Sequence, residues 1–266
     1  NSQSVENSDS LEQDAAVVRE RVLKSLRNSQ VTAHLYKNEM DFDKTLLHDV
    51  GRTDHYIQRG NKGAAALNLG VYLSDLSQLM AFNKNDEASR YFEACFRLSD
   101  FIGMKKQLNL AIQFGFNEII AGDEKLKTSL EQRFEDSGNA AQEKEFKKFH
   151  AAALTGYYVE ELYHLASFIQ SYNTTDKKDS TFFAAVKVLV DQKDEMNNLI
   201  TYFDHIKLKS EGISAYQDLL ALQAKYLTLD RDRVLRETNA SLLLKEKSLQ
   251  DIFDALFSFR KRIIDF

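Results

Sequence analysis

Ala64–Phe82 reads AAALNLGVYLSDLSQLMAF, a run that is apolar on most sides of a helix. A helix that is apolar all round belongs inside a protein. The run is therefore predicted to be a central helix. Asn83–Asp86 breaks it, and a second helix over Glu87–Ile102 carries Tyr91, Ala94, Cys95, Leu98 and Ile102 at helical spacing before Gly103 stops it. A connection of about four residues leaves room only for an antiparallel hairpin of the two.

The rest of the chain follows the same idiom. None of its 266 residues is proline, where ordinary usage would supply roughly a dozen. Proline removes a helical N–H and clashes one turn back, so a chain of long packed helices has few places for it. The expected fold class is all-α: an irregular bundle of antiparallel helix hairpins, tetratricopeptide-like in its first half. That likeness rests on Leu69-Gly70, Ala88, Phe92 and Cys95, which echo the small and large residues of such a pair. No second copy with that spacing occurs, so it is an analogy and not a repeat.

Further helices are predicted over Leu11–Leu26 with Ser10 as N-cap, more weakly over Val31–Val50, then over Lys105–Ala121, through Phe134, and over Phe146–Tyr172. The stretch Gly51–Gly63, with three glycines, reads as a loop. Phe182, Val186, Leu189, Met196, Ile200 and Phe203 alternate steps of three and four and predict one helix, separated by Gly212 from another over Ile213–Leu229. Leu235, Leu242, Leu249, Leu256 and Ile263 recur every seven residues and predict one long amphipathic helix. Thr238 and Lys245 fall where a dimer seam needs apolar residues, which favours packing within the domain over a coiled coil. Residues 1–10 are too polar to fold and read as a tether, leaving 11–266 as a single helical domain.

Composition narrows the function classes. The net charge of −5 comes from 35 basic and 40 acidic residues with both signs interleaved. The basic runs Lys144–Lys148 and Arg260–Arg262 are short and flanked by acids, a solvated surface and not a nucleic-acid footprint. No run is apolar enough for a membrane-spanning helix. Nucleophilic catalysis and phosphate cradling have no motif, the lone Cys95 falls in an apolar stretch and is expected to be buried and inert, and no cofactor is implied.

Polar intrusions into apolar faces supply the candidate binding residues. Asn68, Tyr72 and Asp75 are spaced four and three apart in the central helix, amid Leu67, Leu69, Val71, Leu73 and Leu76. Leu154, Tyr158, Glu161, Leu165, Phe168 and Tyr172 form a stripe that Glu161 interrupts, while Glu160 shares a face with Gly156 and His164. A carboxylate on such a face is costly unless hydrogen-bonded or protonated. Glu161-Leu162-Tyr163-His164 is an E-x-x-H, but a carboxylate-bridged two-metal site needs two copies. Only one is present; Glu118 could be drafted as a ligand, but a lone E-x-x-H is expected by chance in a glutamate-rich helical chain, so no metal is assigned. Either these groups form a buried network that docks helices, or they line a ligand pocket.

The runs Leu67–Leu76, Leu98–Gly103 and Gly156–Tyr163 together resemble a family of all-helical, lipid-anchored envelope proteins of Bacteroidetes-type bacteria whose function is not established. There the first run reads N-L-G-x-Y-x-x-D-L, matched here from Asn68 to Leu76. The second reads G-x-W-I-E-x-L-Y, with Tyr158 here in place of tryptophan and Glu160 at the glutamate. The resemblance implies a lipid anchor upstream of Asn1 and a cell-envelope location, periplasmic or surface-exposed, while composition leaves the cytoplasm open. The expected function is noncatalytic binding of a protein or small ligand on a helical surface. Its rival is an enzyme or metalloprotein working from Asp75, Glu160, Glu161 and His164.

Overall fold

The computed structural model describes residues 42–104, 144–172, 179–205 and 214–265. The tether 1–10 and the helices expected over Leu11–Leu26, Lys105–Ala121 and through Phe134 lie outside them, as does Glu118. Among the described residues every regular element is helical, as an all-α bundle requires.

The quoted run folds as α2 (Lys62–Ala81), after a short α1 (Thr53–Gln58) and before α3 (Asn85–Ile102). Asn83 ends α2 in the left-handed region at φ 57°, and the Lys84 N–H returns 2.8 Å to the Leu79 carbonyl. Gly103, at φ 85°, ends α3 the same way, with the Met104 N–H 2.8 Å from the Ser99 carbonyl. These paired closures satisfy carbonyls that a helix end would otherwise leave bare. The closure at Asn83, between α2 and α3, gives the hairpin its sharp reversal.

The long α4 (Lys144–Ser171) lies against α2 along most of its length. Ala64–Leu76 on one helix and Ala151–Leu162 on the other are buried on every side. Their contact is unusually close. A Cβ on Gly70 would lie 1.9 Å from the Ala153 carbonyl oxygen, and one on Gly156 1.9 Å from the Leu67 carbonyl oxygen. Only hydrogen fits at either position, so the two backbones touch. Around this pair pack α3, α5 (Asp179–Val190), α6 (Lys193–His205), α7 (Ser214–Thr228) and, after α8 (Arg231–Arg236) and α9 (Ala240–Leu243), α10 (Lys247–Ile264).

Four expectations need correction. The described end of Val31–Val50 is not α-helical: Asp43 and Asp49 accept from the N–H groups of Thr45 and Gly51, each at 2.9 Å. Such local turns compete with the helical ladder. The expected loop at Gly51–Gly63 contains α1, because its glycines sit at the flanks and Tyr56 can be buried between them. The single helix expected across Phe182–Phe203 is two, α5 and α6, turned at Asp191-Gln192. Its apolar period survives the turn because both halves face the core, α5 against α4 and α6 against α4 and α7.

The heptad leucines likewise do not share one helix. Asp230 and Asn239 accept from backbone N–H groups as N-caps of α8 and α9, and Leu242 is 54% exposed. Leu249, Leu256 and Ile263 do lie buried on α10, inside the domain.

Candidate functional site

The backbone contact between α2 and α4 brings their polar residues face to face. Asp75, Glu160 and His164 are all buried, with ligand-capable atoms within 4.8 Å of one another. His164 Nε2 lies 3.0 Å from Asp75 Oδ1 and 3.8 Å from Glu160 Oε1. These three sequence candidates therefore converge.

A fourth group completes the cluster. Arg260 of α10 donates through Nε and a terminal nitrogen to the two oxygens of Glu160, each at 2.7 Å, and the same terminal nitrogen lies 3.1 Å from the Leu46 carbonyl. Its guanidinium stacks 3.8 Å above the centre of the Tyr163 ring. Two-pronged pairing and stacking are what a planar guanidinium does better than an ammonium. Arg260 is 9% exposed, so the reading of Arg260–Arg262 as a solvated run is wrong at its first residue. The missed signal was positional: Arg260 falls among Leu249, Ile252, Phe253, Leu256, Phe259 and Ile263 on the buried side of α10.

His48 closes the other side. Its backbone N–H donates to Asp75 Oδ2 at 2.8 Å, and its ring stacks on Tyr72 with centroids 5.2 Å apart. Tyr56 spends its one proton on the Ile264 carbonyl, 2.7 Å away, so its oxygen accepts from His48 Nε2–H, also at 2.7 Å. That fixes the His48 tautomer. The Tyr91 hydroxyl in turn donates to the His48 carbonyl at 2.8 Å. Nothing in the spacing of the six histidines singled out His48.

The other candidates are buried or half-buried but serve neighbouring contacts. Asn68 donates to the carbonyls of Ala64 and Ile263 at 3.0 and 2.9 Å, and Tyr72 donates to the Asp49 carbonyl at 2.9 Å. Glu161 accepts from Ser74 Oγ at 2.9 Å on a different side of α4 from Glu160. Tyr163 lies under Arg260 and edge-on to Phe257. Cys95 is buried, and burial holds its thiol well above the usual range.

Burial governs the protonation of the cluster. It pushes the Asp75 carboxyl up to about 7, against the His48 N–H and Arg260, and the Glu160 carboxyl up to about 7, against Arg260. It pulls His164 down to about 4 and His48 to about 3, so both imidazoles are neutral where they would ordinarily titrate. For Arg260 burial opposes the charge, but Glu160 outweighs it and raises the guanidinium further. One cation faces two carboxyl groups. A neutral interior then requires one proton, held between the two raised carboxyls of Asp75 and Glu160.

The three potential ligands have the chemistry of a metal site, but the bonds of Arg260 to both Glu160 oxygens put an organic cation where a metal would draw its charge. Compared with protein-family models, curated proteins and solved structures, the chain gives no match. No helix among the described residues is long and apolar enough to cross a membrane.

Proposed function

We propose that the chain is a noncatalytic helical protein of the cell envelope, held by a lipid anchor, that binds a protein or a small ligand on its helical surface. The observation that supports the noncatalytic part is the internal use of the central groups. Asp75, Glu160 and His164 are buried and bonded to one another, to Arg260 or to the His48 backbone. Catalytic groups must instead meet a substrate in a reachable cleft. The tetratricopeptide-like α2–α3 hairpin is part of the binding scaffold in this reading, and the envelope location rests on the family resemblance.

Crosslinking in the native envelope, followed by pulldown and metabolic labelling with a palmitate analogue, tests both parts. The expected result is a lipid-labelled protein crosslinked to one reproducible partner. An unlabelled protein in the aqueous fraction would remove the envelope assignment.

A second reading, a metalloprotein, draws on the 4.8 Å grouping of Asp75, Glu160 and His164. A stoichiometric transition metal in the native protein would establish it and displace the first. Arg260 on Glu160 favours the first.

A further inference from the structure

Where α4, α6 and α7 meet, polar atoms are left without partners. Of the four buried side-chain atoms with nothing to bond to among the described residues, one is Asn68 Oδ1 in α2 and the other three are here: Gln192 Oε1, Glu195 Oε2 and the Tyr226 hydroxyl. Gln192 is 5% exposed and Tyr226 4%. Leaving such groups unpaired is costly, and native interiors rarely do so without an occupant.

The three lie on adjoining elements, Gln192 at the α5–α6 turn, Glu195 on α6 and Tyr226 on α7, which packs against α6. Tyr216 donates to Asp204 Oδ1 at 2.8 Å, and Gln223 donates to Asn197 Oδ1 at 2.5 Å. The residue number rises along α7 as it falls along α6, by the same amount between the two pairs, so the helices are antiparallel in a fixed register. Continued by one turn, that register sets Tyr226 opposite Asp194, in the first turn of α6 that also carries Glu195. Gln192 lies one turn before Glu195, at the α5–α6 turn, where the Tyr158 hydroxyl reaches its carbonyl at 3.4 Å. The Glu195 charge is felt by both Tyr158 and Tyr226. Glu195 itself is only partly buried, which leaves a way in from solvent.

We propose that this point is an internal site for an ammonium group, either free ammonium or the head of a small primary amine. A primary amine brings three N–H donors and free ammonium four, and the unpaired oxygens of Gln192, Glu195 and Tyr226 can accept them. The positive charge answers a carboxylate that Asp191 and Asp194 flank, and the Tyr158 and Tyr226 rings add aromatic surface suited to a cation. The site lies in the interior of the fold and is independent of the surface-binding reading.

Thermal unfolding of the full chain near neutral pH, at matched ionic strength in ammonium, methylammonium, potassium and tetramethylammonium chlorides, tests it. Ammonium and methylammonium are expected to raise the midpoint saturably, by roughly 5–10 °C at one hundred times the dissociation constant. Tetramethylammonium, which has no N–H, should add nothing beyond salt. Glu195→Gln should abolish the methylammonium response and Tyr226→Phe weaken it roughly tenfold or more. An equal response to potassium or tetramethylammonium overturns the proposal, as does an unchanged methylammonium response in either folded variant. Calorimetric titration of the unaltered chain with methylammonium needs no variant: saturable binding supports the site, and its absence, the result if water alone fills it, overturns it.

Discussion

Around Glu160 and around Glu195 the same problem, an acid inside a helical bundle, meets different solutions. Glu160 receives a guanidinium on both oxygens, and its neighbours Asp75 and His164 are bonded in turn. Glu195 keeps an oxygen with no partner, beside a hydroxyl and an amide oxygen that also have none. The first cluster carries its own cation and is complete without any ligand. The second has a carboxylate, an amide oxygen and a hydroxyl, and no cation bonded to any of these three atoms. A polar group in a core is thus evidence of a binding site only when its partners cannot be found within the chain.

The contrast is broken most severely at Arg260. Arg260→Met removes the cation from two buried carboxyls, and stability in urea should fall by about 3–5 kcal/mol. Glu195→Gln, which removes a charge held by a backbone N–H and no bonded cation, should cost less than about 1 kcal/mol in amine-free buffer. Equal losses would erase the distinction between the clusters. Next in size is Gly70→Ala: with its Cβ directed at the Ala153 carbonyl, it should force α2 and α4 apart and cost about 3 kcal/mol. The same urea titration measures it.

The pH dependence sharpens the comparison. His48 and His164 are held below their ordinary 6.5, so between about pH 4 and 6.5 the unfolded chain binds more protons at these sites and their contribution to stability falls as pH falls. Asp75 and Glu160 are raised to about 7, so between about pH 4 and 7 the folded chain binds more protons there and their contribution falls as pH rises. The two trends oppose each other, and the cluster should contribute little net slope from about pH 4 to 6.5. Asp75→Asn, which can still accept the His48 N–H, unmasks the imidazoles. Its stability relative to the parent should rise with pH by up to about 1.4 kcal/mol per unit. Unfolding at a series of pH values checks this, and parallel curves would contradict it.

The smallest expected effects are between tyrosines. Tyr56→Phe breaks the link from His48 to the Ile264 carbonyl and should cost about 1–2 kcal/mol. Tyr226→Phe removes a hydroxyl with no partner and should be neutral or stabilising by up to about 1 kcal/mol in amine-free buffer. Calorimetric unfolding of the pair gives the ordering.

Long elements were legible in the sequence and interruptions less so. The quoted run of α2, the end of α3 at Gly103 and the span of α4 each carry many residues pointing to one answer. The turn at Asp191-Gln192 left the period of Phe182, Val186, Leu189, Met196, Ile200 and Phe203 intact, since periodicity records which face is buried and not whether the axis bends. In the heptad segment the caps Asp230 and Asn239 outweighed the leucine spacing.

At the centre, Asp75, Glu160 and His164 could be named because each breaks an apolar pattern on its own helix. Arg260 breaks one too, but its neighbours Lys261 and Arg262 made it look like surface. His48 acts largely through its backbone N–H, which every residue but proline possesses. The gap around Glu195 depends on how two helices register, and a single helical pattern cannot reveal that.

The order in which these parts are synthesised matters as well. Glu160 leaves the ribosome 100 residues ahead of Arg260, and Asn68 precedes the Ile263 carbonyl by 195. For most of translation α2 and α4 carry acids that have no cation to meet, and burying them together is unfavourable. The core should therefore close only once α10 has emerged from the exit tunnel, so α2 and α4 wait on a helix made long after them.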